Sequence, residues 1–252
     1  MSNRINAKAA ASSDTSIRLE INSVDANDDV LKDLNVFPST DWKERLQLIK
    51  VLLPYIEFDN ISSTGTEPRV ISCTVLSPLL FQLQLNLHID SEDAIVETKV
   101  TGLLAVKLMA PQYASVLKTN YISRNKVQNL LYSLNSFAAC IHRRTNAFVK
   151  VIRKYPGLVT NVNRDSLANN YTTYAHLKSC DEIILLLPAN SIKLCIFWSV
   201  VLEDEITGEC TNTINLIGPD PKSNELFQML LESNSMVNAV SSLLSTCYNY
   251  VY

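Results

Sequence analysis

The chain has 252 residues, 47% apolar and 19% charged, a balance that excludes wholesale disorder and is long enough for two modules of roughly 100 residues, each with a core of its own. A net charge of −3 excludes a global attraction to nucleic acid or acidic lipid, so any such contact must be local. The longest apolar runs, Ile183 to Leu187 and Leu194 to Trp198, fall far short of the roughly 20 residues that span a bilayer.

Met1 to Ser16 carries no apolar secretory core, and the cysteines Cys73, Cys140, Cys180, Cys195, Cys210 and Cys247 are never closer than fifteen residues. A soluble intracellular protein with reduced core thiols, and no membrane contact, is therefore expected. Residues 1 to 40 are rich in Ser, Asn, Asp and Ala and read as a disordered acidic tail. Within it, Val30, Leu31, Leu34, Val36 and Phe37 form an apolar island that could dock on a partner or on the first domain.

Asp41 and Glu44 have capping-box spacing. Trp42, Leu46, Ile49 and Leu53 then share one helical face, widened by Leu48, Val51 and Leu52, until Pro54 stops the helix. A polar loop is expected through Thr66, then a strand from Val70 to Leu76. Phe81, Leu83, Leu85, Leu87 and Ile89 alternate with polar residues and predict a half-exposed antiparallel strand. The turn Asp90 to Asp93 returns the chain through Ala94 to Leu104, and Pro111 falls in a loop. A helix near 122 to 140 closes this first stretch. A second helix begins after His142 to Thr145, carries Phe148, Val149, Ile152 and Tyr155, and stops before Pro156.

The same order follows again: a polar stretch, a strand from Glu182 to Leu187, and a period-two set Ile192, Leu194, Ile196, Trp198, Val200 and Leu202, both faces of which read as covered. A turn at Glu203 to Glu209, a strand from Cys210 to Ile217, and a closing helix near 223 to 244 complete it. The two prolines are 156 − 54 = 102 residues apart. One α+β module used twice is expected, over 41 to 141 and 142 to 252, each an antiparallel meander flanked by helices.

Neither copy carries a catalytic motif. The glycines Gly65, Gly102, Gly157, Gly208 and Gly218 are isolated, so no phosphate-cradling loop exists. His88, His142 and His176 stand apart and no Cys-x-x-Cys occurs, so no zinc set is expected. Gly-x-Ser-x-Gly is absent. Cys140 and His142 are two apart on a helix and point away from each other. No catalytic residue, metal ligand or cofactor is assigned.

Two surfaces remain. His142, Arg143, Arg144, Lys150, Arg153 and Lys154 form a basic cluster for an acidic peptide, a phosphorylated segment or DNA. In the closing helix, Leu226, Phe227, Leu230, Met236, Val237, Val240, Leu243 and Leu244 make an apolar band too broad for one face. Phe227 and Met236 lie beyond that face and point to a partner interface.

The helix, meander, helix order resembles the RWD domain, a noncatalytic relative of the ubiquitin-conjugating fold. The hairpin Phe81 to Asp90 with Ser91 to Val100, the helix Ser123 to Leu134, and the strands from Glu182 to Ile217 resemble the tandem-RWD centromere protein P family, subunits of the fungal COMA assembly of the inner kinetochore. The sister centromere protein O family shares that architecture. The usual RWD signature Tyr-Pro-x-x-x-Pro is absent. The resemblance covers roughly residues 42 to 252 and implies a nuclear, centromeric, noncatalytic adaptor that forms a heterodimer with a centromere protein O-type subunit and binds Q- and U-type subunits. An RWD-type adaptor in a ubiquitin-conjugation pathway is the second reading.

Overall fold

The computed structural model describes residues 42–66, 69–92, 94–105, 111–162, 177–188 and 191–248. The tail over 1 to 40 with its apolar island, the cap Asp41 and the imidazole of His176 lie outside the described residues. The chain divides into two compact units, Met1–Gln47 and Leu48–Tyr252. Among the described residues all the strands belong to the second, and together with the helices they make a mixed α+β architecture with two antiparallel sheets.

Helix α1, Trp42–Leu52, ends as the Leu53 N–H reaches the Ile49 carbonyl at 2.8 Å; Pro54 has no N–H to extend the ladder. Strand β1, Glu57–Thr64, replaces the polar loop expected there. It is an edge strand on which only Phe58 is half-buried. A register shift between Asp59 and Ser62 is taken up by Asn60 at φ 52, a left-handed conformation that asparagine tolerates.

Strands β2, Arg69–Ser77, β3, Phe81–Ile89, and β4, Ile95–Ala105, follow as an antiparallel meander in the order β1-β2-β3-β4. On β3 the alternation in sequence becomes alternation in burial, with Phe81, Leu83, Leu85 and Ile89 inside. Asp90 closes the next turn by accepting the N–H groups of Glu92 and Ala94, both at 2.9 Å.

Around Pro111 the expected loop is instead a short helix α2, Pro111–Val116, running into π-helical turns over Leu117–Ile122. Asn125 then grips the free edge of β4: its amide oxygen accepts the Thr98 N–H and its amide nitrogen donates to the Val96 carbonyl, each at 2.8 Å. Edge groups satisfied in this way are closed to foreign strands.

Helix α3, Val127–Lys154, runs for 28 residues without a break. The pause expected at His142 to Thr145 does not occur, and the boundary expected between 141 and 142 falls inside this helix. Polarity alone does not stop a helix. No Gly or Pro interrupts the segment, and the Thr145 hydroxyl folds back onto the Ile141 carbonyl at 2.8 Å.

The second sheet has the order β5-β6-β7, from β5, Glu182–Leu187, β6, Ile192–Asp204, and β7, Glu209–Ile217. Leu158 to Asn161 pair along β5 through a bridge of Val159 with Leu185 and a bond from the Thr160 N–H to the Ile184 carbonyl at 2.9 Å. Leu194, Ile196 and Trp198 of β6 are buried, whereas Cys195, Phe197 and Ser199 on its other face are only half-buried. The expectation of two covered faces therefore holds for one.

The closing segment is two helices, α4, Lys222–Ser233, and α5, Met236–Tyr248. Asn234 adopts an extended conformation and its amide donates to the Leu230 carbonyl at 3.1 Å. Ser235 accepts the Asn238 N–H. Short polar side chains that satisfy helix ends break the helix here.

Each sheet has its own core, and α3 supplies both. Leu130, Leu134, Phe137 and Ile141 pack with Val75, Leu83 and Leu85. Phe148, Val149 and Ile152 pack with Leu185, Leu194 and Ile196. The β6–β7 turn reaches across to the first core, where Cys210 is buried. The Tyr121 hydroxyl donates to the Glu205 carbonyl at 2.7 Å, Asn129 donates to the Ile206 carbonyl at 2.9 Å, and the Cys210 N–H donates to Ser136 Oγ at 2.9 Å.

Gly208 makes this approach possible. It lies at φ +84, and a Cβ there would sit 2.7 Å from Ser133 Cβ and 3.1 Å from the Tyr121 hydroxyl. Gly208→Ala is expected to destabilise the fold by about 1–3 kcal/mol, from strain plus steric conflict. Gly157→Ala, where nothing lies within 4 Å of the added Cβ, is expected to stay within about 0.5 kcal/mol of the parent. Urea unfolding of both variants checks this; equal effects would refute it.

Candidate functional site

The second half of α3 has an apolar inner stripe and a cationic outer one. Arg143, Asn146, Lys150 and Lys154 recur at helical spacing on the outer side. Beside them lies a cleft of about 1040 Å³. Helix α3 contributes Ala139, His142, Arg143, Asn146, Ala147, Lys150 and Lys154. The second sheet contributes Trp198, Thr211, Asn212 and Ile214, and the elbow between α4 and α5 contributes Leu231, Asn234, Ser235, Met236, Val237 and Asn238. Tyr55 completes the lining, its ring 5.5 Å from that of His142.

Among the described residues, no carboxylate lines this cleft. Among the described residues, no ion pair engages Arg143, Lys150, Arg153 or Lys154. Lys154 Nζ donates to Ser241 Oγ at 2.7 Å, which the Tyr155 hydroxyl also reaches at 2.8 Å. Arg153 is exposed but lies outside the lining.

Arg144, expected in the same cationic patch, is a correction. It is 1% exposed, and its guanidinium donates to the Trp198 carbonyl at 3.0 Å and the Lys178 carbonyl at 3.1 Å. Burial pulls its pKa down to about 10, with Asp181 and Cys180 opposing, so the group stays cationic at neutral pH. It ties α3 to β6 and to the turn at Lys178, and it is closed to a partner.

The apolar band of the closing helices is placed differently from expectation. Phe227, Met236, Val240, Leu243 and Leu244 are buried in the second core, and Leu226, Leu230 and Val237 pack half-buried against it. Phe227 and Met236 are therefore not beyond the packed face. The break at Asn234 gives two helices, each turning its own apolar stripe inward. Only Met236 and Val237 of this set also border the cleft.

Large apolar side chains are exposed on α1 instead: Leu48 at 52%, Val51 at 74% and Leu52 at 65%, with Ile49 beside them. The signal was present in the sequence as an apolar face too wide for one packing surface.

Five of the thiols are held in their protonated form. Cys140 is buried while His142 is exposed, so the two do not form a pair. Burial pushes the Cys73, Cys140 and Cys180 thiols up, and takes Cys210 to about 12. Cys195 is raised to about 11, by burial and then by its contact with the Glu182 carboxylate at 3.1 Å. Such groups remain protonated at neutral pH. Among the described residues no group of three or more His, Cys, Asp or Glu is placed to hold a metal ion, and no helix is long and apolar enough to cross a membrane.

No protein-family model matches the sequence, and no curated protein matches it. The class of protein the structure defines is thus an α+β chain with two cores, one shared helix and a cation-lined cleft.

Arg144→Ala is expected to cost about 3 kcal/mol or more, because it removes a fully buried side chain and strands two carbonyls. Arg143→Ala, at an exposed position one residue away, is expected to be near neutral. Thermal unfolding of both measures the difference; parity between them would remove Arg144 from this role.

The raised thiols also set a pH dependence. Above the ordinary value of 9.0 the unfolded state releases thiol protons that the folded state keeps. The unfolded state then binds fewer protons, so stability present below pH 9 is lost as pH rises toward the folded values. The urea midpoint is expected to fall between about pH 8 and about pH 10.5, and to fall less in Cys210→Ala. A midpoint flat over that range would contradict it.

Proposed function

We propose that this chain is a noncatalytic adaptor of the inner kinetochore, built from tandem RWD-like modules of the centromere protein P kind. It pairs with a centromere protein O-type tandem-RWD subunit and holds Q- and U-type subunits at the centromere in the nucleus. The observation that carries the adaptor reading is the exposed apolar surface of α1, where Leu48, Val51 and Leu52 are each more than half exposed. A soluble protein covers such a cluster with a partner. The α+β composition with two antiparallel sheets and a shared helix is compatible with two RWD-like heads, and the resemblance of the Phe81 to Val100 hairpin supplies the family.

Sedimentation velocity with and without a centromere protein O-type subunit tests the proposal. A stable one-to-one complex is expected, weakened at least about tenfold by Leu48→Asp with Leu52→Asp, as for interface anchors worth upward of 1.4 kcal/mol. A soluble monomer indifferent to that subunit would refute the reading.

A further inference from the structure

We propose that the cleft beside α3 is a docking site for a short acidic segment of a partner protein that also presents apolar side chains. Charge is the first argument. Between Val127 and Lys154, α3 contains no Asp or Glu, although the whole protein has 25 acidic against 22 basic residues. The cations are concentrated, and Arg143, Lys150 and Lys154 line the cleft together with His142. Cations without neighbouring carboxylates attract and orient an anionic segment.

The second argument is the apolar lining. Ala147, Ile214, Leu231, Met236 and Val237 border the same concavity, so an occupant that brings only charge would leave this surface unfilled. An amphipathic acidic segment satisfies both features. The volume of about 1040 Å³ suits on the order of two helical turns, given a helix roughly 10 Å across that rises about 1.5 Å per residue. A nucleic-acid duplex is the poorer fit, because a phosphate backbone carries nothing to fill an apolar recess.

The inference stands on the cleft alone and does not depend on the centromere reading. The test uses the full chain and fluorescence anisotropy. The probe is a labelled helical peptide of about fourteen residues, rich in Glu with leucines at i, i+3 and i+7. Binding is expected to weaken with added salt. Arg143→Glu with Lys150→Glu, both exposed in the parent, is expected to weaken it at least about tenfold while circular dichroism stays unchanged. A Lys-for-Glu version of the peptide is expected to prefer the charge-reversed variant.

Equal binding of the Glu-rich and Lys-rich peptides to the parent chain would overturn the proposal, as would indifference to the double charge reversal. Tighter binding of a DNA duplex than of the peptide, lost in the same variant, would overturn it in favour of nucleic acid. Because no centromere subunit enters the assay, its failure leaves the kinetochore reading standing, and failure of that reading leaves this one.

Discussion

One helix has to serve two cores, and most of the structure follows from that demand. At about 1.5 Å per residue, the 28 residues of α3 form a rod of about 42 Å whose inner stripe is buried from Val127 to Ile152. The first half of the stripe belongs to one sheet and the second half to the other. Between them, at the junction of the two cores, the helix carries Arg144 and Thr145, both 1% exposed. A buried guanidinium costs several kcal/mol unless it is bonded. The carbonyls of Trp198 and Lys178 bond its two terminal nitrogens and fix β6 against the helix, while among the described residues its Nε has no partner. The β6–β7 turn makes the converse tie, reaching toward the first core through Tyr121, Asn129 and Ser136.

What was legible in the sequence was whatever buries one face. Strand β3 was readable to the residue because Phe81, Leu83 and Leu85 are inside and Gln82 is out. Strand β1 was not, because an edge strand needs backbone partners on one side only and imposes little on side chains; Asn60-Ile61-Ser62-Ser63 reads as loop. The helix boundaries failed in opposite directions for one reason. His142-Arg143-Arg144-Thr145 is polar without being a stop signal, so α3 continues. Ser233-Asn234-Ser235 is a stop signal inside a pattern whose apolar residues run on, so the last helix divides.

The candidate surfaces were half legible for the same physical cause. Sequence shows that a residue is charged or apolar, whereas the way it faces depends on tertiary partners. Arg143 and Arg144 are neighbours of identical chemistry, yet a rotation of about 100° per residue along the helix sends one to the surface and one to the junction. Leu243 and Leu52 are both apolar helical residues. The first packs into the core of the second sheet and is buried, and the second stays 65% exposed.

The distribution of charge on α3 separates what stability explains from what it does not. Cations in the last turn of a helix are favoured by its dipole, by about 0.3–1 kcal/mol each, and Arg153 and Lys154 occupy that turn. The effect fades within a turn, and Arg143 lies 154 − 143 = 11 residues upstream. Nor do carboxylates one helical turn away reward it, since α3 has none. Arg143 and Lys150 therefore gain little from the dipole or from ion pairs within the helix that bears them. Their exposure beside an apolar recess is the feature on which the proposed acidic partner rests.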